Sequence, residues 1–157
     1  MSLFRLEMNA ESLRLNKSQV CLSEELKRFA SILKQHKLPY SDLSIHQHLL
    51  FEFNSGGTIV GTGGLEIYDR LALLRSVTIH PDWRGRNLGT EVVRQMQMVA
   101  KSKGVSSLFL LTTSAEPFFR KLGFEMTPRE IVPDAIRATK EFTGICPSSA
   151  IVMSIRL

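Results

Sequence analysis

The sequence predicts one α/β domain, of the α+β type, with a mixed and mostly antiparallel central sheet and helices on both faces. Its 157 residues are close to the usual size of a single domain. Short strand-like segments joined by short turns occupy the middle of the chain, which favours an antiparallel meander. An amphipathic helical pattern at 90–103 separates two apolar strand-like segments, and strands joined in this way run parallel with a right-handed crossover.

Seven segments have the composition or alternation of strands. The turn Asn54–Gly57 separates two of them, and Pro81 ends the strand that begins at Leu71. Residues 1–11 form a lead with little pattern, so the domain is expected over 12–157. The predicted strands are 12–15, 50–53, 58–68, 71–80, 107–112, 124–126 and 150–155.

Four segments have the apolar spacing of helices. Ser23 is expected to be the N-cap of the first, which Pro39 stops. Gly104 and Gly123 are typical of the residue that follows a helix, and they end the second and third. The predicted helices are 23–38, 90–103, 114–122 and 133–143.

Composition excludes several classes of protein. Hydrophobic residues make up 43% and charged residues 22%, as in ordinary globular proteins. No apolar run approaches the roughly 18 residues of a membrane helix, so no membrane partner is expected. Two cysteines do not suggest a disulfide scaffold. The first residues lack the pattern of a signal peptide, and a reducing, cytoplasmic setting is therefore the expectation.

A net charge of +5 permits an anionic partner without identifying one. No helix-turn-helix, zinc or aromatic RNA-binding pattern is present, so no nucleic-acid partner is expected. His46 and His48 alternate on one face of an expected strand with no carboxylate or cysteine nearby in the sequence. Two histidines alone are weak evidence for a metal, and we predict no metal site.

The loop that joins the strand ending near His80 to the following helix has the features of a phosphate site. Backbone N–H groups at a helix start lack intrahelical partners, and the helix dipole is positive there. Gly85 and Gly89 allow close approach of a ligand, and Arg84 and Arg86 offer charge-assisted hydrogen bonds. The spacing matches neither a Walker loop nor a dinucleotide fingerprint. The segment therefore predicts a pyrophosphate cradle.

This segment resembles motif A of the GNAT superfamily of N-acetyltransferases, whose pattern is Arg/Gln-x-x-Gly-x-Gly/Ala after a strand. Arg84 matches the first position and Gly89 the last, while Asn87 replaces the middle glycine. Asn tolerates left-handed backbone angles, so Asn87 can replace the glycine if the motif needs only those angles. If the motif needs a residue without a side chain, Asn87 would weaken cofactor binding. The segment 112–124, which closes on Gly-Phe, resembles motif B.

The carboxyl-terminal part and several earlier positions resemble a narrower subgroup found with arsenic-resistance genes, which is related to N-acetylglutamate synthase. The residues that carry this resemblance are Leu38-Pro39, Leu65, Leu73–Val77, Pro133, Ile136, Glu141-Phe142 and Cys146–Ala150.

The superfamily resemblance implies a GNAT-like acyl-CoA N-acyltransferase fold and acetyl-CoA (coenzyme A) as cofactor. It implies that the backbone of the motif A strand holds the thioester and pantetheine arm, where N–H groups stabilise an oxyanion. Phe119 stands where many members have a tyrosine acid, so the thiolate leaves unaided or takes a proton from the product. The expected cofactor-binding residues are Val77, Thr78, Ile79, Arg84, Gly85, Arg86, Asn87, Leu88, Gly89, Thr90 and Phe119.

The expected catalytic residues are Glu66, as the base that deprotonates the amine, and Thr113 at the end of a central strand. Alternatively, Glu66 is a solvated strand residue and Thr113 caps the start of a helix. Arg75 is expected to bind a substrate carboxylate through a bidentate bond, with a surface salt bridge as its alternative. Tyr40, Thr112 and Cys146 complete the expected substrate site.

We therefore expect direct transfer of an acetyl group from acetyl-CoA to the amine of a small molecule, an amino acid or an acidic analogue. Acetylation of a protein lysine or N-terminus is one alternative. A non-catalytic acyl-CoA-binding regulator is another, since Asn87 and Phe119 depart from the common pattern. The sequence leaves open whether the chain forms a homodimer.

Overall fold

The computed structural model describes residues 15–157. Over this range the strands form one seven-stranded sheet in the order β1-β2-β3-β4-β5-β7-β6. The strands are β1 (Asn16–Gln19), β2 (Leu49–Ser55), β3 (Thr58–Tyr68), β4 (Leu71–Ile79), β5 (Ser107–Thr112), β6 (Glu125–Met126) and β7 (Ile151–Arg156).

The α-helices are α1 (Ser23–Gln35), α2 (Leu88–Ser102), α3 (Glu116–Lys121) and α4 (Asp134–Arg137). Short 3₁₀ turns occupy Pro81–Trp83 and Arg129–Ile131, and a π-helical turn occupies Glu141–Ile145. No helix of the described range is long and apolar enough to span a bilayer.

Strand pairing follows the predicted pattern. Strands β1 to β4 form an antiparallel meander, β4 pairs with β5 in parallel, and β7 pairs antiparallel with both β5 and β6. Helix α2 makes the crossover between the two parallel strands. The mixed and mostly antiparallel sheet is therefore confirmed.

Helices cover both faces of the sheet because alternate strand residues point to opposite sides. On one face, Phe53 of β2 lies in a core cluster with Val92 and Met96 of α2. On the other face, Leu50 of the same strand packs with Phe29 of α1. A smaller cluster joins the sheet to α4.

Several predicted boundaries were wrong. Ser23 is the first residue of α1, and Leu22 occupies the N-cap position, where its N–H donates to Glu25 Oε1 at 2.9 Å. The predicted helix 133–143 is two short turns rather than one helix. Of the predicted strand 12–15, residues 12–14 lie outside the described range and Leu15 precedes β1. His46 and His48 lie in the turn before β2, not on a strand face.

Candidate active site

A cleft opens in the sheet where β4 and β5 separate. Their parallel pairing extends only from Leu71 and Ser107 to Leu73 and Phe109. Beyond those residues the two strands bound a cleft of about 790 Å³. The carboxyl ends of neighbouring parallel strands are a common place for ligand sites.

A β-bulge in β4 accompanies this separation. Between the pairs Thr62–Thr78 and Gly64–Arg75, one residue of β3 faces two residues of β4, so the register shifts there. Ser76 lies in this bulge with φ of 60°. Its carbonyl accepts the hydroxyl of Thr62 at 2.7 Å. A bulge bends its strand and re-aims the neighbouring groups, which is why bulges are common beside active sites.

Most residues expected to bind acetyl-CoA or substrate line this cleft, whereas Glu66 and the helix-start loop 85–90 do not. The expected residues that line it are Tyr40, Arg75, Val77, Thr78, Ile79, Arg84, Thr112, Thr113, Phe119 and Cys146.

The loop before α2 has the backbone conformation of an anion site. Gly85 and Asn87 both have positive φ angles, of 78° and 60°. Asn87 occupies the N-cap position of α2 in the left-handed region. An asparagine in place of glycine therefore adopts the left-handed backbone angles that a glycine could adopt. The first N–H groups of the helix have no intrahelical partners and are directed toward the loop side.

Gly89 has a packing role in this structure. A Cβ on Gly89 would lie 3.2 Å from Cζ of Phe118, so even a methyl group would press on that ring.

The two arginines of the loop make different contacts. Arg84 Nε donates to the carbonyl of Ile79 at 3.2 Å at the mouth of the cleft, while the Arg86 guanidinium stacks 4.8 Å above the ring of Trp83.

Phe119 is both a cleft residue and a core residue. It is 7% exposed and packs edge-on against Phe118 and Phe124, with centroid distances of 4.9 and 5.5 Å. Its ring supplies an apolar wall without a proton donor.

Arg75 does not have a free guanidinium for a substrate carboxylate, which corrects the expected clamp. A guanidinium has five N–H donors, and the structure gives Arg75 five hydrogen bonds. Asp42 accepts two of them, at 2.6 and 2.7 Å. Glu66 accepts another at 3.1 Å. The Ser76 hydroxyl and the Pro39 carbonyl take the remaining two. Arg75 instead organises the inner wall of the cleft.

Glu66 is also engaged away from the cleft, contrary to its expected role as the base. Its carboxylate accepts the hydroxyl of Tyr68 at 2.8 Å and lies 3.3 Å from Nε2 of His48. Burial would raise the pKa of Glu66, but these partners and Arg75 outweigh it and the pKa is lowered. A carboxylate held ionised in this way is a poor proton acceptor. Burial together with the hydrogen bond to Glu66 raises the pKa of Tyr68 to about 12.

Sequence reasoning missed Glu141 as a site residue. This side chain lines the cleft from the π-helical turn and is 5% exposed, and its Oε1 lies 3.5 Å from Nη2 of Arg75. Burial raises its pKa to about 7, with Arg75 opposing the rise and Glu66 and Asp42 adding to it. Glu141 belonged to the quoted tail resemblance, but its position beside Arg75 depends on a long-range contact that no local pattern indicates.

The remaining expected residues lie on the walls of the cleft. Thr112 caps the entry to α3, since its hydroxyl accepts the N–H of Ala115 at 2.9 Å. Thr113 follows it at the end of β5, so the cap that was the alternative for Thr113 is made by Thr112. Tyr40 is 40% exposed at the rim. Burial, reinforced by Glu141, raises the pKa of the Cys146 thiol to about 12.

His48 has carboxylates near it in space, although none is near it in the sequence. Ligand atoms of Asp42, His48 and Glu66 fall within 4.8 Å of one another. Both carboxylates, however, accept N–H donors from Arg75. A guanidinium charge in this position already neutralises part of the negative charge that a divalent cation requires.

The chain is similar in sequence to known proteins. An amino-acid acetyltransferase of Pasteurella multocida is 28% identical over 108 residues, which are 68% of this chain and 24% of that protein. The corresponding protein of Vibrio atlanticus is 32% identical over 95 residues, or 59% of this chain and 21% of that protein. The matched part of the chain thus spans less than a quarter of the length of these relatives.

A solved structure of N-acetylglutamate synthase from Neisseria gonorrhoeae, complexed with coenzyme A and N-acetyl-glutamate, superposes with a TM-score of 0.74. It is 16% identical, and the match covers 92% of this chain and 35% of that one. The match confirms the predicted acyl-CoA N-acyltransferase fold.

The family model described as "Acetyltransferase (GNAT) family" matches residues 19–124, from the end of β1 through the Gly-Phe that follows α3. This range contains the bulged strand that bounds the cleft, together with the loop that holds left-handed Asn87 and the helix start that follows it. By sequence as well as by fold, the chain belongs to the acetyltransferase (GNAT) family.

Proposed function

We propose that this chain, as one domain over 12–157, transfers the acetyl group of acetyl-CoA directly to the amine of a small molecule of the amino-acid class. Family membership and the names of its relatives support acetyl transfer to an amino acid. The single observation that carries the proposal is the separation of β4 from β5 at a bulge, which leaves one edge of β4 open to a cleft.

The open edge of β4 presents N–H groups to the cleft. The Ser76 carbonyl accepts a bond from Thr62 on β3, so the N–H of the same planar trans peptide, which belongs to Val77, points the opposite way. The N–H of His80 donates to Val60 on β3 at 2.7 Å, and alternation directs the N–H of Ile79 toward the cleft. Two such donors suit a carbonyl oxygen that becomes negative during attack.

The residues present fit the diphosphate of coenzyme A. The helix start of α2, the left-handed Asn87 and the Arg84 side chain would hold the phosphates, and Phe119 would line the path of the thiol arm. When bound, acetyl-CoA supplies the thioester whose carbonyl carbon the amine attacks. The chain's own part is to align the two reactants and to exclude water between them.

The test is a turnover screen that measures thiol release from acetyl-CoA with each proteinogenic amino acid, with their phosphinic and arsenical analogues and with short peptides. We expect saturable turnover with at least one amine and formation of its N-acetyl product by mass spectrometry. If coenzyme A protects the protein against heating while no amine yields thiol or product, the chain is a binding module and the proposal fails. Turnover with peptides alone would assign it to protein acetylation instead.

A pair of arginine variants tests the cofactor site. Arg84→Ala is expected to weaken coenzyme A binding about tenfold, because a charge-assisted hydrogen bond contributes roughly 1.5 kcal/mol. Arg156→Ala removes an exposed arginine at the end of β7 and is the matched control. Equal affinities of the two variants, measured by calorimetry, would disprove the cradle at Arg84.

A further inference from the structure

The inner wall of the cleft carries more negative than positive charge. Arg75 faces three carboxylates, with ion-pair distances of 2.6 Å to Asp42, 3.1 Å to Glu66 and 3.5 Å to Glu141. The ring of His48 lies beside this cluster, with Nε2 3.3 Å from Glu66 Oε1, and even one positive charge there would leave the three carboxylates in excess. The fully ionised cluster therefore has an excess of negative charge that a cation in the cleft would offset.

Glu141 differs from the other two carboxylates in its contacts. Asp42 and Glu66 accept N–H donors from Arg75, whereas all five donors are already used and Glu141 interacts with the guanidinium through charge alone. Glu141 lines the cleft, while Glu66 and Asp42 do not. It also begins a π-helical turn, closed by the bond from the N–H of Cys146 to its carbonyl at 3.0 Å. Such turns are frequent at functional sites.

We propose that Glu141 receives the ammonium group of the acceptor and removes the proton that must leave before the amine attacks, an inference that rests on the proposed function. Because Glu141 lines the inner wall, that wall recognises the ammonium group of the acceptor and not a carboxylate of the acceptor's side chain. The role expected of Glu66 passes to Glu141, and Glu66 holds Arg75 in place.

The reaction balances without a further reactant. The ammonium gives one proton to the Glu141 carboxylate and becomes a neutral amine. The amine nitrogen forms the C–N bond to the thioester carbonyl carbon as the C–S bond breaks, and sulfur leaves with the bonding electron pair. The thiolate takes the second proton from the new amide nitrogen, and Glu141 returns its proton to water. The products are the N-acetyl compound, free thiol and one released proton.

The electrostatic surroundings suit this proton transfer. Burial raises the pKa of Glu141 to about 7, which lies near neutral pH, where a general base is most effective. A base at its usual carboxylate value would hold the proton less well. The charged groups that act on Glu141 are Arg75 of β4, Glu66 of β3 and Asp42 of the segment before β2, and the Cys146 thiol follows the same turn. Tyr68 and His48 contact Glu66, and Arg129 acts on Cys146.

The experiment compares Glu141→Gln, Glu141→Asp and the exposed control Glu130→Gln in the whole chain. The acceptor is the amino acid that the turnover screen shows to be acetylated fastest. We expect Glu141→Gln to lose about 100-fold or more in kcat/KM with unchanged affinity for coenzyme A. Glu141→Asp should recover part of the rate, and the acidic limb of the pH profile of the unmodified chain, near pH 7, should disappear in Glu141→Gln.

A binding measurement supplies a second readout. Calorimetry with the coenzyme A complex compares the same amino acid with the carboxylic acid of the same skeleton that lacks the amino group. We expect the amino acid to bind at least about tenfold more tightly, and Glu141→Gln to remove that preference. A preference that survives in Glu141→Gln would overturn the recognition of the ammonium by this residue.

The outcomes separate this inference from the proposed function. If the unmodified chain acetylates an amine and Glu141→Gln keeps both the rate and the pH profile, the function holds and the role of Glu141 is disproved. A lower rate with an unchanged pH profile would make Glu141 a positioning residue for Arg75, and would also disprove proton removal. If the unmodified chain acetylates no amine, the proposed function itself fails.

Discussion

Asp42 accepts hydrogen bonds from both terminal nitrogens of Arg75, at 2.6 and 2.7 Å, and the two side chains are 3% and 0% exposed. This bidentate pair joins the irregular segment after α1 to the bulged part of β4. It therefore fixes the wall of the cleft that carries Tyr40, although the two residues are far apart in the sequence. The loss of Asp42 would leave two N–H donors of a buried guanidinium without their charged acceptor.

Asp42→Asn is accordingly expected to lower the free energy of unfolding by about 3 kcal/mol, because two charge-assisted hydrogen bonds to a buried guanidinium are weakened or lost. Arg75 outweighs burial and lowers the pKa of Asp42 below its ordinary 3.8, so the stabilisation is present above that pH and is lost as the pH falls through the folded value. Urea unfolding at pH 7 measures the loss. Asp82→Asn removes a carboxylate that is 84% exposed and should change stability by less than about 0.5 kcal/mol; equal effects would contradict the prediction.

Glu141→Gln is expected to stabilise the protein at pH 8. The folded pKa of about 7 lies above the ordinary 4.5, so between these values the folded state holds a proton that the unfolded chain has released. Stability contributed by the protonated form is therefore complete below about pH 4.5 and falls as the pH rises toward 7. The neutral glutamine avoids this loss, with an expected gain of about 1 to 3 kcal/mol.

Urea unfolding of both proteins at pH 4.5 and pH 8 measures this difference. The two stabilities should be similar at the lower pH and diverge at the higher one. A glutamine variant that is less stable than the unmodified chain at pH 8 would show that the ion pair with Arg75 outweighs the burial of the carboxylate.

The sheet and the backbone of the loop before α2 could be predicted from the sequence because both depend on local signals. Alternation, turn residues and an amphipathic crossover helix are sufficient for β2 to β5 and α2, and the loop angles follow from residue types such as Gly85 and Asn87. The partners of Arg75 depend instead on tertiary contacts between distant segments. Neither hydrophobic period nor motif spacing shows that Asp42 and Glu141 meet it, so the expected clamp and the expected base were assigned without knowledge of those carboxylates.

Substitutions at Asn87 test whether the motif position needs its backbone angles. Asn87→Gly keeps the left-handed conformation available and should leave the affinity for coenzyme A within about threefold of the original. Asn87→Val introduces a β-branched side chain at φ of 60°, where the strain is at least about 1 kcal/mol, and should weaken binding at least fivefold or so. Calorimetric titration with coenzyme A gives both values, and equal affinities of the two variants would contradict the angle requirement.

Cys146 is expected to react slowly with an alkylating reagent although it lines the cleft. Burial raises the pKa of its thiol to about 12, and the Glu141 carboxylate adds to the rise, so little reactive thiolate is present at pH 8. Cys21 is exposed and serves as the internal reference. Peptide mass spectrometry during iodoacetamide treatment should show Cys146 modified at least about tenfold more slowly. Glu141→Gln removes the nearby negative charge and should therefore accelerate the alkylation of Cys146 without changing that of Cys21. An unchanged rate at Cys146 would show that the Glu141 carboxylate does not raise the pKa of this thiol.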